Sequence, residues 1–217
     1  MMNGITRRAL YTGSLLLIVG LGLSGCGPSL QTPVRATTMA EAMVSPNSIQ
    51  TLDLFYRRLA GFPSDILKLK NLEQLTLRTC TIENLPDGIA TLSHLSRLDL
   101  GQTALTNLTP AVGQLSNLTH LWLNDNTLAT LPSELGHLAN LVYLNADRNQ
   151  LSRLPPDLGL LPALKWLRLN NNQLTSLPPD LSGLAKSLKV LYLMGNPIPD
   201  DELDRIRKAL PNCRVIY

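Results

Sequence analysis

A leucine triplet returns along this chain at a fixed interval. Leu118, Leu121 and Leu123 are followed 23 residues later by Leu141, Leu144 and Ala146, and after the same interval by Leu164, Leu167 and Leu169. Upstream, the register gives Leu95, Leu98 and Leu100, then Leu72, Leu75 and Leu77, then Ile49, Leu52 and Leu54. Downstream, after one extra residue near Lys186, it gives Leu188, Leu191 and Leu193. A period of this length replaces one compact core by a stacked one, because a unit cannot bury its leucines alone and its neighbours must complete the core. In Leu-x-Leu the two leucines point to one side of a short strand and the residue between them to the other. Seven stacked units therefore make a parallel sheet with one buried face.

With the first leucine of each unit as place one, the consensus is LxxLxLxxNxLxxLPxxLxxL. This pattern, with a Leu-Pro pair in most units, resembles the leucine-rich repeat proteins over roughly residues 49 to 217. The resemblance implies an α/β fold: a right-handed solenoid with a curved parallel β-sheet on its concave face, short helical or 3-10 turns on its convex face, and a cap at each end. Place nine holds Asn126, Asn149, Asn172 and Asn196. A short amide there can bridge backbone groups of successive turns that would otherwise be buried unpaired. Cys80 and Thr103 take this place in earlier units, and Arg57 breaks the pattern, marking unit one as a cap or as distorted.

Five segments are expected in order. Residues 1 to 25 have the form of an export signal, with Arg7 and Arg8 as its basic head and an apolar run too short and glycine-broken for a comfortable membrane span. The tetrapeptide Leu23-Ser24-Gly25-Cys26 resembles the bacterial lipobox, which implies cleavage before Cys26 and acylation of that cysteine, palmitate included. An uncleaved anchor or an unmodified cysteine is the other reading. Thr6-Arg7-Arg8-Ala9-Leu10 resembles a twin-arginine motif, leaving both general and twin-arginine export open, and Gly27 in place of an acidic residue favours the outer membrane over the inner. Residues 26 to 36 are then the lipidated cysteine and a flexible tether containing Pro28 and Pro33. A cap helix is expected over 37 to 48, with Thr37 or Thr38 as N-cap and Met39, Ala42 and Met43 on one side. The seven repeats fill 49 to 198. Residues 199 to 217 form a helix and a last strand, with Asp200, Asp201 and Glu202 in the first helical turn and Arg205, Arg207 and Lys208 towards its end, matching the helix dipole.

Charge and motifs exclude several functions. The net charge of +3 falls to +1 without residues 1 to 25, with 17 Lys and Arg against 16 acids, and no basic block lies beside stacking aromatics, so nucleic acid is not an expected partner. No phosphate-cradling glycine loop, His-Glu-x-x-His, Cys-x-x-Cys or Gly-x-Ser-x-Gly is present. His94, His120 and His137 fall at different places in their units and cannot converge. Neither enzyme activity, metal nor cofactor is expected. An effector enzyme of the ubiquitin-ligase kind would need a catalytic domain beyond Pro211, where six residues leave no room. Cys80 and Cys213 lie about five strand spacings apart, roughly 24 Å, too far for a disulfide.

The variable face carries the functional expectation. Places three, five, seven and eight point to the concave side. Of the eight aromatics after the signal, six fall on these places: Phe55, Tyr56, Trp122, Tyr143, Trp166 and Tyr192. Trp122, Tyr143, Trp166 and Tyr192 would form one arc over units four to seven, flanked by His120, Asn145, Asp147, Arg148 and Arg168. Exposed aromatics beside arginine are the composition of binding hot spots. The expectation is a non-catalytic, lipid-anchored, monomeric envelope protein that holds a protein ligand on this arc. A glycan-binding module for peptidoglycan or lipopolysaccharide, or a purely structural protein whose rings merely stiffen the sheet, are the rival readings.

Overall fold

The computed structural model describes residues 34–57, 59 and 61–217. The export signal, the lipobox with Cys26, and most of the tether lie outside these residues. Nine parallel strands form one sheet whose spatial order is the order of the chain. They are β1 (Arg35–Ala36), β2 (Thr51–Asp53), β3 (Gln74–Thr76), β4 (Arg97–Asp99), β5 (His120–Trp122), β6 (Tyr143–Asn145), β7 (Trp166–Arg168), β8 (Val190–Tyr192) and β9 (Arg214–Ile216). Equivalent places sit side by side: Leu75 pairs with Leu98, Leu98 with Leu121, and Leu121 with Leu144. The central leucine of each repeat strand is buried and the residues on either side of it are not.

The return segments are five 3-10 turns, Ser64–Lys68, Asp87–Thr91, Pro110–Gln114, Ser133–His137 and Pro156–Leu160. Each begins at a proline, which presets φ, and turns one apolar residue inward: Ile66, Ile89, Val112, Leu135 or Leu158. Successive turns pack so closely that a Cβ on Gly113 or Gly136 would meet Glu134 O at 2.3 Å or Asp157 Cβ at 2.4 Å. In unit six the extra residue near Lys186 gives the segment room for a full α-helical turn, α2 (Ser182–Ser187).

Place nine closes the core. Asn149 donates from Nδ2 to the carbonyls of Leu123 (2.9 Å) and Ala146 (3.2 Å), and its Oδ1 accepts from the Leu128 N–H. Asn126, Asn172 and Asn196 repeat this bridge between neighbouring units. In the earlier units Thr103 leans on Asn126 Oδ1, and the Cys80 thiol donates to Leu54 O at 3.2 Å. Arg57 is exposed and its side chain makes no such bridge. Both Cys80 and Cys213 are free thiols.

Place eight follows a rule that periodicity does not reveal. Tyr56, Thr79, Gln102, Asp125, Arg148, Asn171 and Gly195 all have φ between 53° and 71°, a left-handed conformation that costs an L-residue roughly 1 kcal/mol or more. In units one to six the bend turns the place-eight N–H onto the next unit's place-seven carbonyl, as in Gln102 to Asn124 at 2.9 Å and Arg148 to Asn170 at 2.8 Å, which offsets the strain.

The ends are closed by secondary structure. Residues 26 to 36 do not end as a tether, since Arg35–Ala36 pair in parallel with Thr51 and Leu52 and add a strand before the first repeat. Arg35 is held there by its ion pair with Asp53 at 2.5 Å, and the strand covers backbone groups that β2 would otherwise leave at an open edge. Next comes α1 (Met39–Val44), whose N-cap Thr38 accepts from the Glu41 N–H while Glu41 accepts in turn from the Thr37 N–H. Ala42 is buried, and Met39 and Met43 pack on the core. At the other end, α3 (Asp200–Ala209) buries Leu203 and Ile206, and Glu202 accepts from the Leu177 N–H at 2.8 Å, stitching the helix to unit six.

Candidate functional site

Places three and five of β5 to β8 form the part of the concave face richest in aromatic groups. Their register is set by the ladder: Trp122 stands beside Asn145, Tyr143 beside Trp166, and Arg168 beside Tyr192. Three rings make one cluster. His120 lies 5.6 Å from Trp122 and 6.0 Å from Tyr143, both near-parallel, and Trp122 lies 5.4 Å from Tyr143. The two His120 pairs are stacked and the Trp122–Tyr143 pair is tilted, arrangements favourable for rings with a quadrupole. Burial and the nearby Arg97 hold the His120 imidazole below its usual pKa, favouring the neutral ring, and burial pushes the Tyr143 phenol up. At neutral pH this cluster is an uncharged, half-exposed platform.

The arc expected from the sequence is divided. Trp166 is 39% exposed and takes no part in these ring contacts, while Tyr192 faces the Arg168 guanidinium at 4.8 Å from its centroid instead of another ring. The arc is thus a three-ring platform, an isolated tryptophan and a cation–π pair.

One expected ligand-contacting residue, Asp147, requires correction. Asp147 is buried, 2% exposed, and both its oxygens are engaged: Oδ1 accepts from the Asn170 N–H and Oδ2 from Arg168 Nε, each at 2.7 Å. Closed off by its neighbours, it cannot present itself to a ligand and instead orients Arg168. Arg148 is exposed and stays available to a ligand, with Nε and Nη2 both donating to the Asp125 carboxylate of the preceding unit. Asn145 remains on the face, its Oδ1 accepting from the Asp147 N–H. Place seven is in fact covered in units three to five, where Gly101, Asn124 and Asp147 are buried.

Towards the N-terminus the face changes character. Gln74, Thr76, Arg97, Asp99 and Trp122 line a shallow depression. Burial raises the Asp99 pKa, although the Gly101 N–H and the charge of Arg78 oppose the shift. Among the described residues no cluster of three or more His, Cys, Asp or Glu side chains suits a metal ion. His94 and His137 are exposed and belong to the return side of their units, apart from His120 on β5.

Two family models match the chain, "Leucine rich repeat" over residues 93–151 and "Leucine Rich repeats (2 copies)" over 162–207. Among solved structures, a leucine-rich repeat protein of Leptospira interrogans is 38% identical with a TM-score of 0.76; the alignment covers 79% of this chain and 43% of that one. Internalin C2 of Listeria monocytogenes is 28% identical with a TM-score of 0.67, over 79% of this chain and 71% of that one. A plant peptide hormone receptor, RGFR1, in complex with RGF2, is 28% identical with a TM-score of 0.68, over 79% of this chain and 28% of that one. This chain thus spans less than half of the Leptospira protein's length. No curated protein matches it by sequence.

Proposed function

The chain is a leucine-rich repeat solenoid, an architecture that commonly mediates protein binding, and from that premise we propose that it is a non-catalytic receptor for a protein ligand held on the concave face of units four to seven. The observation that carries this reading is the stacked His120, Trp122 and Tyr143 platform with the exposed Trp166 beside it. Large rings held half out of water on a preformed sheet contribute contact area at small entropic cost when a partner covers them. Anchorage belongs to the same proposal: the lipobox places acyl chains on Cys26 and the solenoid at the surface of a bacterial envelope membrane, the outer one by the reading of Gly27. Several chains would hold it there firmly, since each buried methylene contributes about 0.8 kcal/mol.

The test uses the compact unit Pro33–Tyr217, which contains the whole described core, as bait in solubilised envelope. A partner retained by the natural sequence and lost by Trp122→Ala/Trp166→Ala, with unchanged circular dichroism, supports the reading. Equal recovery by both forms overturns it, and recovery of glycan without protein moves the ligand to the carbohydrate class. Mass spectrometry of the full-length chain for an acylated Cys26, with release from the membrane by Cys26→Ser, tests the anchor separately.

A further inference from the structure

Arg168 differs from the other arginines of the concave side in how its nitrogens are used. Nε donates to the buried Asp147 at 2.7 Å, and the guanidinium carbon lies over the Tyr192 ring, 4.8 Å from its centroid, so the group is held from two sides. Asp147 is itself fixed by the Asn170 N–H. Among the described residues the two Nη groups of Arg168 have no acceptor, and the side chain is 36% exposed. Arg148 offers the contrast: it uses Nε and Nη2 on Asp125, leaving no free fork.

We propose that Arg168 is the polar anchor of the binding face, its unpaired Nη groups clasping a carboxylate of the protein ligand. That carboxylate is an aspartate or glutamate side chain whose apolar neighbours settle on Trp166 and Tyr143. The inference rests on the concave-face reading above and specifies what that face selects. A planar guanidinium with two parallel N–H groups matches a carboxylate in a way that an ammonium cannot. Because buried Asp147 and Tyr192 already hold the fork, it loses little side-chain freedom when the ligand arrives. The uncharged platform alongside gives such a ligand an apolar contact on one side of its charge.

The probe is a random peptide library displayed against the compact unit Pro33–Tyr217 and its Arg168→Gln variant. Peptides selected by the natural sequence are expected to share an acidic residue next to an aromatic or aliphatic one. For one such peptide, replacing the acid by its amide should weaken binding about tenfold to the natural protein, and less than twofold to Arg168→Gln, as measured by calorimetry. Arg168→Lys should fall between, keeping charge and losing the fork. Because Arg168→Gln leaves Asp147 without its cation, the paired Asp147→Asn/Arg168→Gln variant serves as the second form if the single one does not fold. Selected peptides without a shared acid, or an acid-to-amide loss that is equal on both proteins, overturn the clasp and leave the concave-face reading in place. Failure of any peptide to be selected, or binding indifferent to Trp122→Ala/Trp166→Ala, overturns both.

Discussion

Units one to three and units four to seven share a backbone and a register, yet show the concave side different chemistry. The first three present Thr51, Asp53, Gln74, Thr76, Arg97 and Asp99 at places three and five. The later ones present His120, Trp122, Tyr143, Asn145, Trp166, Arg168, Val190 and Tyr192. Since polar residues fill these places of the same sheet in the first half, the fold does not demand aromatics in the second. The halves also differ beneath the surface. Place nine holds Arg57, Cys80 and Thr103 in the first and an unbroken run of asparagines in the second. Unit one also exposes Phe55 and Tyr56, but the cluster of His120, Trp122 and Tyr143 lies in the region most firmly pinned from behind, which is what a preformed binding face requires.

The widest separation between the halves is expected at place nine. Asn149→Ala leaves the Leu128 N–H and two carbonyls without their side-chain partner, and should lower unfolding free energy by about 3 kcal/mol or more. Cys80→Ala, which removes one weak thiol donor, should cost about 1 kcal/mol. Urea denaturation of both variants measures the gap, and equal losses would erase the distinction in rigidity. On the outer surface, Trp122→Ala/Trp166→Ala should weaken partner binding by about 2 kcal/mol, roughly thirtyfold, while Gln74→Ala/Thr76→Ala changes it less than about twofold. Comparable losses from both pairs would spread the site over the entire sheet.

A smaller contrast lies within the second half. Arg168→Ala leaves buried Asp147 without its cation and should destabilise by about 2 kcal/mol, less than a fully enclosed pair because Arg168 is partly solvated. Arg148→Ala breaks an exposed pair and should cost under about 1 kcal/mol. Thermal melts resolve the difference.

The smallest effects have opposite signs across the boundary. Burial raises the Asp99 pKa above 3.8, so its ionisation is easier in the unfolded chain and stability falls as pH rises through that region. Asp99→Asn should therefore raise the melting temperature slightly at pH 7, and the gain should disappear on acidification below 3.8. The Arg148 guanidinium lowers the Asp125 pKa, so its contribution is present above 3.8 and is lost as pH falls through the folded value. Asp125→Asn should lower the melting temperature at pH 7, by an amount that shrinks in acid.

Much of this was legible in the leucines. Their spacing gives the stacked units, the seven repeat strands and the short helical or 3-10 returns, and the resemblance they carry implies the solenoid and its caps. What stayed hidden depends on contacts between units, which no single period displays. The left-handed bend at place eight leaves no glycine signature because only Gly195 among its seven occupants is a glycine. Asp147 looks outward-facing from its place in the unit and is covered only when its neighbours are stacked beside it. Arg35–Ala36 carry no leucine pattern and pair because the neighbouring edge is open. Of the candidate face, the sequence indicates the aromatic content but not its division into a platform, a lone ring and a guanidinium–phenol pair.

Because the strands follow one another across the sheet in chain order, tension on residue 34 would reach them edge-on. The first ladder to part is the two-residue pairing of Arg35–Ala36 with β2, and the next unit lacks an amide at place nine. Strands pulled this way separate in succession, like teeth of a zipper, instead of shearing together. Under such a load the first units would lengthen first, while the ring cluster of β5 and β6, in the middle of the nine strands, would keep its spacing.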